Sequence, residues 1–149
     1  KSQKEFMARI PCVKQLFLRY IKRIRNGDLT KEELTIRQRI SRRPEQYKVN
    51  SYQAVAARQM ERSGQLATPG KNVRYIILNA EANPDFPEKK VILSDLYDER
   101  QQQYDREKYV ELLQRAFENI FPFEFPELEE FIRSEYYRNT TQTDLSNFV

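Results

Sequence analysis

Arg37-Gln-Arg-Ile-Ser-Arg-Arg-Pro-Glu-Gln-Tyr47-Lys48-Val49 crowds cations around a proline-marked turn and sets a tyrosine among them. On its N-terminal side, Leu34 to Ile40 alternates in the manner of a short strand. On its C-terminal side, Ala54-Val-Ala-Ala-Arg-Gln-Met60 is a small-residue helix that stops at Gly64. The run is therefore a corner between a strand and a helix. Point charges for phosphates, a fork that reaches into a groove and a ring that wedges against sugar or base are what a nucleic-acid grip needs. The same run also reads as a solvated loop, so the charge around it matters.

That charge is sharply divided. Residues 1–80 hold 18 Lys and Arg against 6 Asp and Glu, a balance of +12, while residues 81–149 hold 8 against 16, a balance of −8, giving the net +4 of the whole chain. A cationic half attracts a polyanion and an acidic half avoids it, so nucleic acid is expected on the N-terminal side.

The chain has 149 residues, 32% of them charged, and only three glycines, which predicts a helix-rich body with one moderate core in one or two small subdomains. Cys12 is the lone cysteine and histidine is absent. That inventory excludes disulfide frameworks, zinc sites and nucleophiles paired with histidine, so neither a catalytic nor a metal-binding residue is assigned. No apolar run has the length of a membrane span, and the first twenty residues lack the apolar centre of a signal peptide. The expected location is intracellular, either cytoplasmic or nuclear, with no membrane partner.

Phe6, Ile10, Val13, Phe17, Tyr20, Ile21 and Ile24 recur at three or four and share one arc, which predicts an amphipathic helix ending at Asn26-Gly27, with Pro11 starting or kinking it. Thr68-Pro-Gly70 is a turn. Val73-Arg-Tyr-Ile-Ile-Leu78 is the best strand, expected to pair with Lys90-Val-Ile-Leu93 across the Asn83-Pro-Asp-Phe-Pro87 loop. Asp105 is a plausible N-cap for a helix carrying Tyr109, Leu112, Leu113, Ala116, Phe117 and Ile120 on one face. Pro122 closes it, and Pro126 opens another through Leu128, Phe131, Ile132 and Tyr136. The fold class is α+β, mostly helical with a small antiparallel β element. Most of the nine Tyr and nine Phe are assigned to the core, with Tyr47 and Tyr104 as exceptions because their neighbours are polar. Tyr97-Asp98-Glu99 is read as solvated surface.

Ile40-Ser41-Arg42, Tyr47-Lys48, Ala54-Val-Ala-Ala57, Gly64, Pro69-Gly70, Arg74-Tyr75-Ile76-Ile77 and Tyr104-Asp105 followed by Tyr109 appear in that order. The series, over roughly residues 10–121, resembles the thumb region at the C-terminal end of family B DNA polymerases. The resemblance implies a domain, residues 1–137, that closes over primer-template duplex, with a basic DNA-facing part (1–80) and an acidic helical part (81–137). It implies that Ser41, Arg42, Tyr47 and Lys48 face the duplex; Arg43, Lys71 and Arg74 are further candidates, each also readable as an exposed cation without a DNA role. Phosphate contacts and minor-groove acceptors carry little sequence information, so such a grip suits any sequence.

The paired aspartates that hold two Mg2+ ions in polymerase chemistry have no counterpart in this sequence. The implied arrangement is a fragment, or a small subunit of a split polymerase, that holds no cofactor itself, works with palm and fingers on the same or another chain, and is inactive alone. Residues 138–149 are expected to be a flexible tail. Within it, Gln142, Leu145, Phe148 and Val149 fit the spacing of a peptide that plugs a sliding clamp, although Val149 stands where a second aromatic is usual; a polar tail with two chance hydrophobes is the competing reading. Two other functions stay open: a freestanding DNA- or RNA-binding module, and an adapter that docks a partner through the acidic half.

Overall fold

The computed structural model describes residues 3–120, 130 and 133. In chain order its elements are α1 (Gln3–Asn26), α2 (Lys31–Leu34), β1 (Ile36–Arg39), α3 (Tyr52–Arg62), β2 (Asn72–Ile77), β3 (Val91–Leu93) and α4 (Arg106–Ile120). Short 3-10 turns lie at Pro44–Gln46, Pro87–Lys89 and Ser94–Leu96. Helices α1 to α4 with one small antiparallel sheet among the described residues make the fold α+β. Residues 19–112 form one compact unit, and the outer parts of α1 and α4 belong to a second.

In the compact unit the sheet order is β1-β2-β3, all antiparallel. The β2–β3 pairing expected from sequence is present, with Tyr75 opposite Leu93 and Ile77 opposite Val91. The alternation of β2 sends Val73, Tyr75 and Ile77 to one face, where Val91 and Leu93 join them and all five are buried. Helix α3 covers that face: its Tyr52 ring lies 6.2 Å from the ring of Tyr75, and Ala54, Ala56 and Ala57 are fully buried. Small side chains let the helix backbone approach the sheet closely, which explains the alanine-rich run. Ser51 caps α3 by accepting from the Ala54 N–H at 3.2 Å. From the next turn of α3, Gln59 reaches the far border of the sheet, donating to the Val91 carbonyl at 2.8 Å and accepting from the Leu93 N–H at 3.0 Å. One side-chain amide thereby satisfies two backbone groups that edge strand β3 would otherwise leave open.

Helix α1 ends where its sequence says it should. Gly27 has φ +78°, the Asp28 N–H returns to the Arg23 carbonyl at 3.0 Å, and the Gly27 N–H returns to that of Ile24 at 3.2 Å. Side chains at the start of α4 and just before it complete the cap, Tyr104 donating to the Ile24 carbonyl at 2.7 Å and Arg106 to the Arg25 carbonyl at 2.8 Å. Asp105 caps α4 by accepting from the Lys108 N–H at 3.0 Å and also takes the Ala80 N–H at 2.8 Å. Tyr109, on the first turns of α4, donates to the Leu34 carbonyl at 2.7 Å and accepts from the Ile77 N–H at 3.0 Å, so one buried hydroxyl ties α2 to β2. In the second unit, Phe17 of α1 and Phe117 of α4 are in ring contact at 4.9 Å.

Four expectations change. Leu34 belongs to a helical turn, opened by a Thr30/Glu33 capping box, and the strand begins only at Ile36. Tyr104 is core, 6% exposed, because its hydroxyl finds a backbone carbonyl eighty residues away and its polar sequence neighbours are irrelevant to that contact. Tyr20, placed on the buried arc of α1, is 39% exposed, and Ala116 of α4 is exposed as well. Pro11 lies inside α1, one of the two placements its sequence left open. The helix expected from Pro126 onward, the tail and its peptide Gln142, Leu145, Phe148 and Val149 lie outside the described residues, and no described helix is long and apolar enough to cross a membrane.

Candidate nucleic-acid interface

The corner between β1 and α3 is built around a buried amide. After Arg39 the chain makes one further ladder step, the Ile40 N–H donating to the Lys71 carbonyl at 2.7 Å and the Gly70 N–H to the Ile40 carbonyl at 2.9 Å. The chain then turns through Pro44–Gln46, whose proline is buried, and enters α3 at Tyr52. Gln53, in the first turn of α3, points back under this turn. It donates to the Arg39 carbonyl and accepts from Ser41 Oγ at 3.0 Å and from the Tyr47 hydroxyl at 2.5 Å. The Tyr47 oxygen in turn accepts from the Arg42 N–H at 3.3 Å. Gln46 Oε1 accepts the Arg43 N–H at 3.1 Å. The outgoing limb is fixed by Arg58, which donates to Asn50 Oδ1 at 2.5 Å and to the Tyr47 carbonyl at 3.4 Å, and by Lys90, which donates to the Asn50 carbonyl at 3.1 Å.

This arrangement divides the sequence-derived candidates into two kinds. Ser41 and Tyr47 direct their hydroxyls to Gln53, and Tyr47 is only partly exposed. Arg42, Arg43, Lys48, Lys71 and Arg74 are all exposed, and no carboxylate among the described residues pairs with any of them. The corner is thus an internally satisfied polar scaffold whose cations project outward without counter-ions.

Sequence reasoning quoted Arg37 and Arg39 as part of the cationic run but made no site of them. The β1–β2 register sets Arg37 opposite Arg74 and Arg39 opposite Asn72, all exposed. Sequence reasoning gave Gln53 no role, its one clue being a polar side chain immediately before the apolar small-residue run Ala54 to Ala57.

Elsewhere the ionisable groups serve the fold. Arg23 and Glu33 form a surface pair at 2.6 Å that raises the guanidinium and lowers the carboxyl from their ordinary values, the side-chain hydrogen bond between them being the largest cause for both. Burial pushes Tyr75 up to about 12 and raises Tyr109 further. Asp98 accepts from the Arg100 N–H at 3.0 Å, as a turn residue does. Among the described residues no group of three or more carboxylate or cysteine side chains is gathered to hold a metal ion.

No curated protein sequence matches the chain. Among solved structures, the family B DNA polymerase of the hyperthermophilic archaeon Pyrobaculum calidifontis is similar in fold, with a TM-score of 0.58 at 16% sequence identity over 84% of this chain. The matched region is 16% of that polymerase's length. The sequence profile described as DNA polymerase family B matches residues 2–123, most of the chain. The chain belongs to DNA polymerase family B.

Proposed function

We propose that this chain is the thumb portion of a DNA-directed DNA polymerase, gripping primer-template duplex through phosphates and the minor groove without regard to sequence. The observation that carries this reading is the unpaired cationic corner, whose backbone is tied down from beneath by Gln53 while Arg42, Arg43 and Lys48 face solvent. Desolvating and ordering long cations costs entropy, and a corner already fixed by hydrogen bonds leaves only the side-chain part of that cost for the binding step. In this reading Arg42, Arg43, Lys48, Lys71 and Arg74 contact phosphates, and Ser41 and Tyr47 act as supports whose outer edges lie against sugar. Catalytic carboxylates with their Mg2+ ions belong to palm and fingers on the same or another chain. The tail from Gln142 to Val149 is the candidate clamp-binding peptide; deleting residues 142–149 should abolish binding to a sliding clamp and leave duplex affinity unchanged.

The test is a titration of labelled primer-template, single-stranded DNA and duplex RNA against the full chain at several salt concentrations. Duplex DNA should bind best, with log affinity falling by about 0.9 per phosphate contact per decade of salt. Arg42→Ala combined with Lys48→Ala should weaken duplex binding by about tenfold or more with an unchanged circular dichroism spectrum. Preference for single strands would favour a freestanding binding module. No binding to any of the three at near-physiological salt would favour an adapter.

A further inference from the structure

We infer that the exposed face of the β1–β2 ribbon, carrying Arg37, Arg39, Asn72 and Arg74, is a second phosphodiester-binding strip, beside the Ser41–Lys48 turn and bound to one backbone strand of the duplex. The inference rests on the duplex-binding reading above and extends it from Arg74 to Arg37, Arg39 and Asn72, to which that reading gives no role.

Directly opposed residues of an antiparallel pair share a face, so the register that joins Arg37 to Arg74 and Arg39 to Asn72 puts all four side chains on one side of the ribbon. The opposite side is taken by α3 through Tyr52 and Tyr75. Farther along β2 the ribbon face becomes apolar, where Ile76 pairs with Ile92 and is completely buried. The face is covered where it is hydrophobic and bare where it is cationic.

Placing two arginines directly across a ribbon is unfavourable, because like charges in opposed positions repel. A carboxylate at either position would convert repulsion into attraction, and none is there. Neither Arg37, Arg39 nor Arg74 forms an ion pair or a side-chain hydrogen bond among the described residues. A fold that keeps such a pair exposed and uncompensated is complementary to an anion supplied from outside.

The spacing narrows the class of anion. Arg37 and Arg39 are two strand residues apart, about 6.6 Å by the rise of a strand, which lets their two side chains reach neighbouring phosphates of one backbone strand. Arginine forks grip phosphate oxygens in bidentate fashion, and Asn72, opposite Arg39, adds a neutral donor and acceptor for a sugar or base edge. One guanidinium nitrogen of Arg39 lies 3.8 Å from where a Cβ would stand at Gly70, whose φ is +94°, so the Arg39 fork lies beside the Gly70 turn.

The experiment compares full-length wild type with Arg37→Gln/Arg74→Gln, using a labelled duplex of arbitrary sequence at several salt concentrations, and follows thermal unfolding without DNA. Two lost phosphate contacts should make the slope of log affinity against log salt shallower by about 2 and weaken binding about tenfold at near-physiological salt. The melting temperature should hold or rise, since a repulsion has been removed. The charge-retaining pair Arg37→Lys/Arg74→Lys should keep the slope and recover only part of the affinity, because lysine lacks the fork. Unchanged affinity and slope in the glutamine variant, with Arg42→Ala/Lys48→Ala still weakening binding, overturns the strip and leaves the corner reading standing. If neither variant changes binding, the duplex-gripping function itself fails. A lowered melting temperature overturns the inference too, for it would show that the opposed arginines support the fold. So would displacement of the duplex by anionic phospholipid vesicles from wild type but not from the glutamine variant.

Discussion

Gln53→Leu removes the amide under the corner while keeping side-chain volume nearly constant. Three hydrogen bonds disappear: the donation to Arg39 and the acceptances from Ser41 and Tyr47. Tyr47 then loses the partner that orients its hydroxyl toward the Arg42 N–H. Each such bond contributes on the order of 1 kcal/mol net. Because Gln53 is 9% exposed, its former partners at the corner are left only partly able to turn to water. If two bonds' worth of restraint on the Arg42 backbone is lost, the fraction of molecules holding the binding geometry falls by roughly five- to thirtyfold, and apparent duplex affinity falls with it. No cation has been removed, so the salt slope should stay as in wild type. The decisive assay is a double-mutant cycle on duplex affinity between Gln53→Leu and Arg42→Ala. Acting through the aim of Arg42, the glutamine substitution should cost little once Arg42 is already alanine. Fully additive losses, or a salt slope that becomes shallower in Gln53→Leu alone, would refute the reasoning.

Three further outcomes concern the fold that carries the site. Tyr109→Phe strands the buried Ile77 N–H and the Leu34 carbonyl, at about 1–3 kcal/mol each, and should lower the melting temperature by several degrees or more; a shift within error removes the hydroxyl from the account. Stability should fall as pH rises from roughly 10 to 12, because unfolded tyrosines ionise near 10 whereas burial holds Tyr75 at about 12 and raises Tyr109 as well, so the unfolded chain sheds protons that the folded one keeps. Denaturant midpoints measured across that window check it, Tyr75→Phe should blunt the fall, and a flat profile contradicts the assignment. Gly27→Ala forces a side chain into a left-handed backbone at φ +78° and meets the Arg106 guanidinium 2.9 Å away, which should cost about 1–2 kcal/mol in urea denaturation and detach Arg106 from the Arg25 carbonyl.

The parts of this fold that sequence revealed are those determined by neighbours along the chain. The stop at Asn26-Gly27, the helix from Tyr52 to Arg62, the Asp105 cap and the strand around Tyr75 each follow from periodicity or a capping residue within a few positions. The pairing of β2 with β3 also followed, since two apolar runs flank one short loop. What stayed hidden depends on distant contacts. Tyr104 looked polar until Ile24 supplied its hydroxyl with a partner, and Leu34 looked like strand because its capping box was outweighed by the alternation after it. The cationic run was legible as charge, but its organisation was not. Only the β1–β2 register brings Arg37 to Arg74, and only the return of α3 beneath the turn brings Gln53 to Arg39, Ser41 and Tyr47.

The amide of Gln59, laid along β3, acts as a one-residue surrogate for a fourth strand. With Val91 and Leu93 already engaged, the sheet is sealed on that flank against recruitment by a foreign polypeptide. Any extension has to proceed from the β1 flank, where the guanidinium array repels another copy of the same protein and would welcome only an acidic visitor. Substituting Gln59 would thus do more than loosen a helix: it would unlock the quiet side of the sheet to self-association.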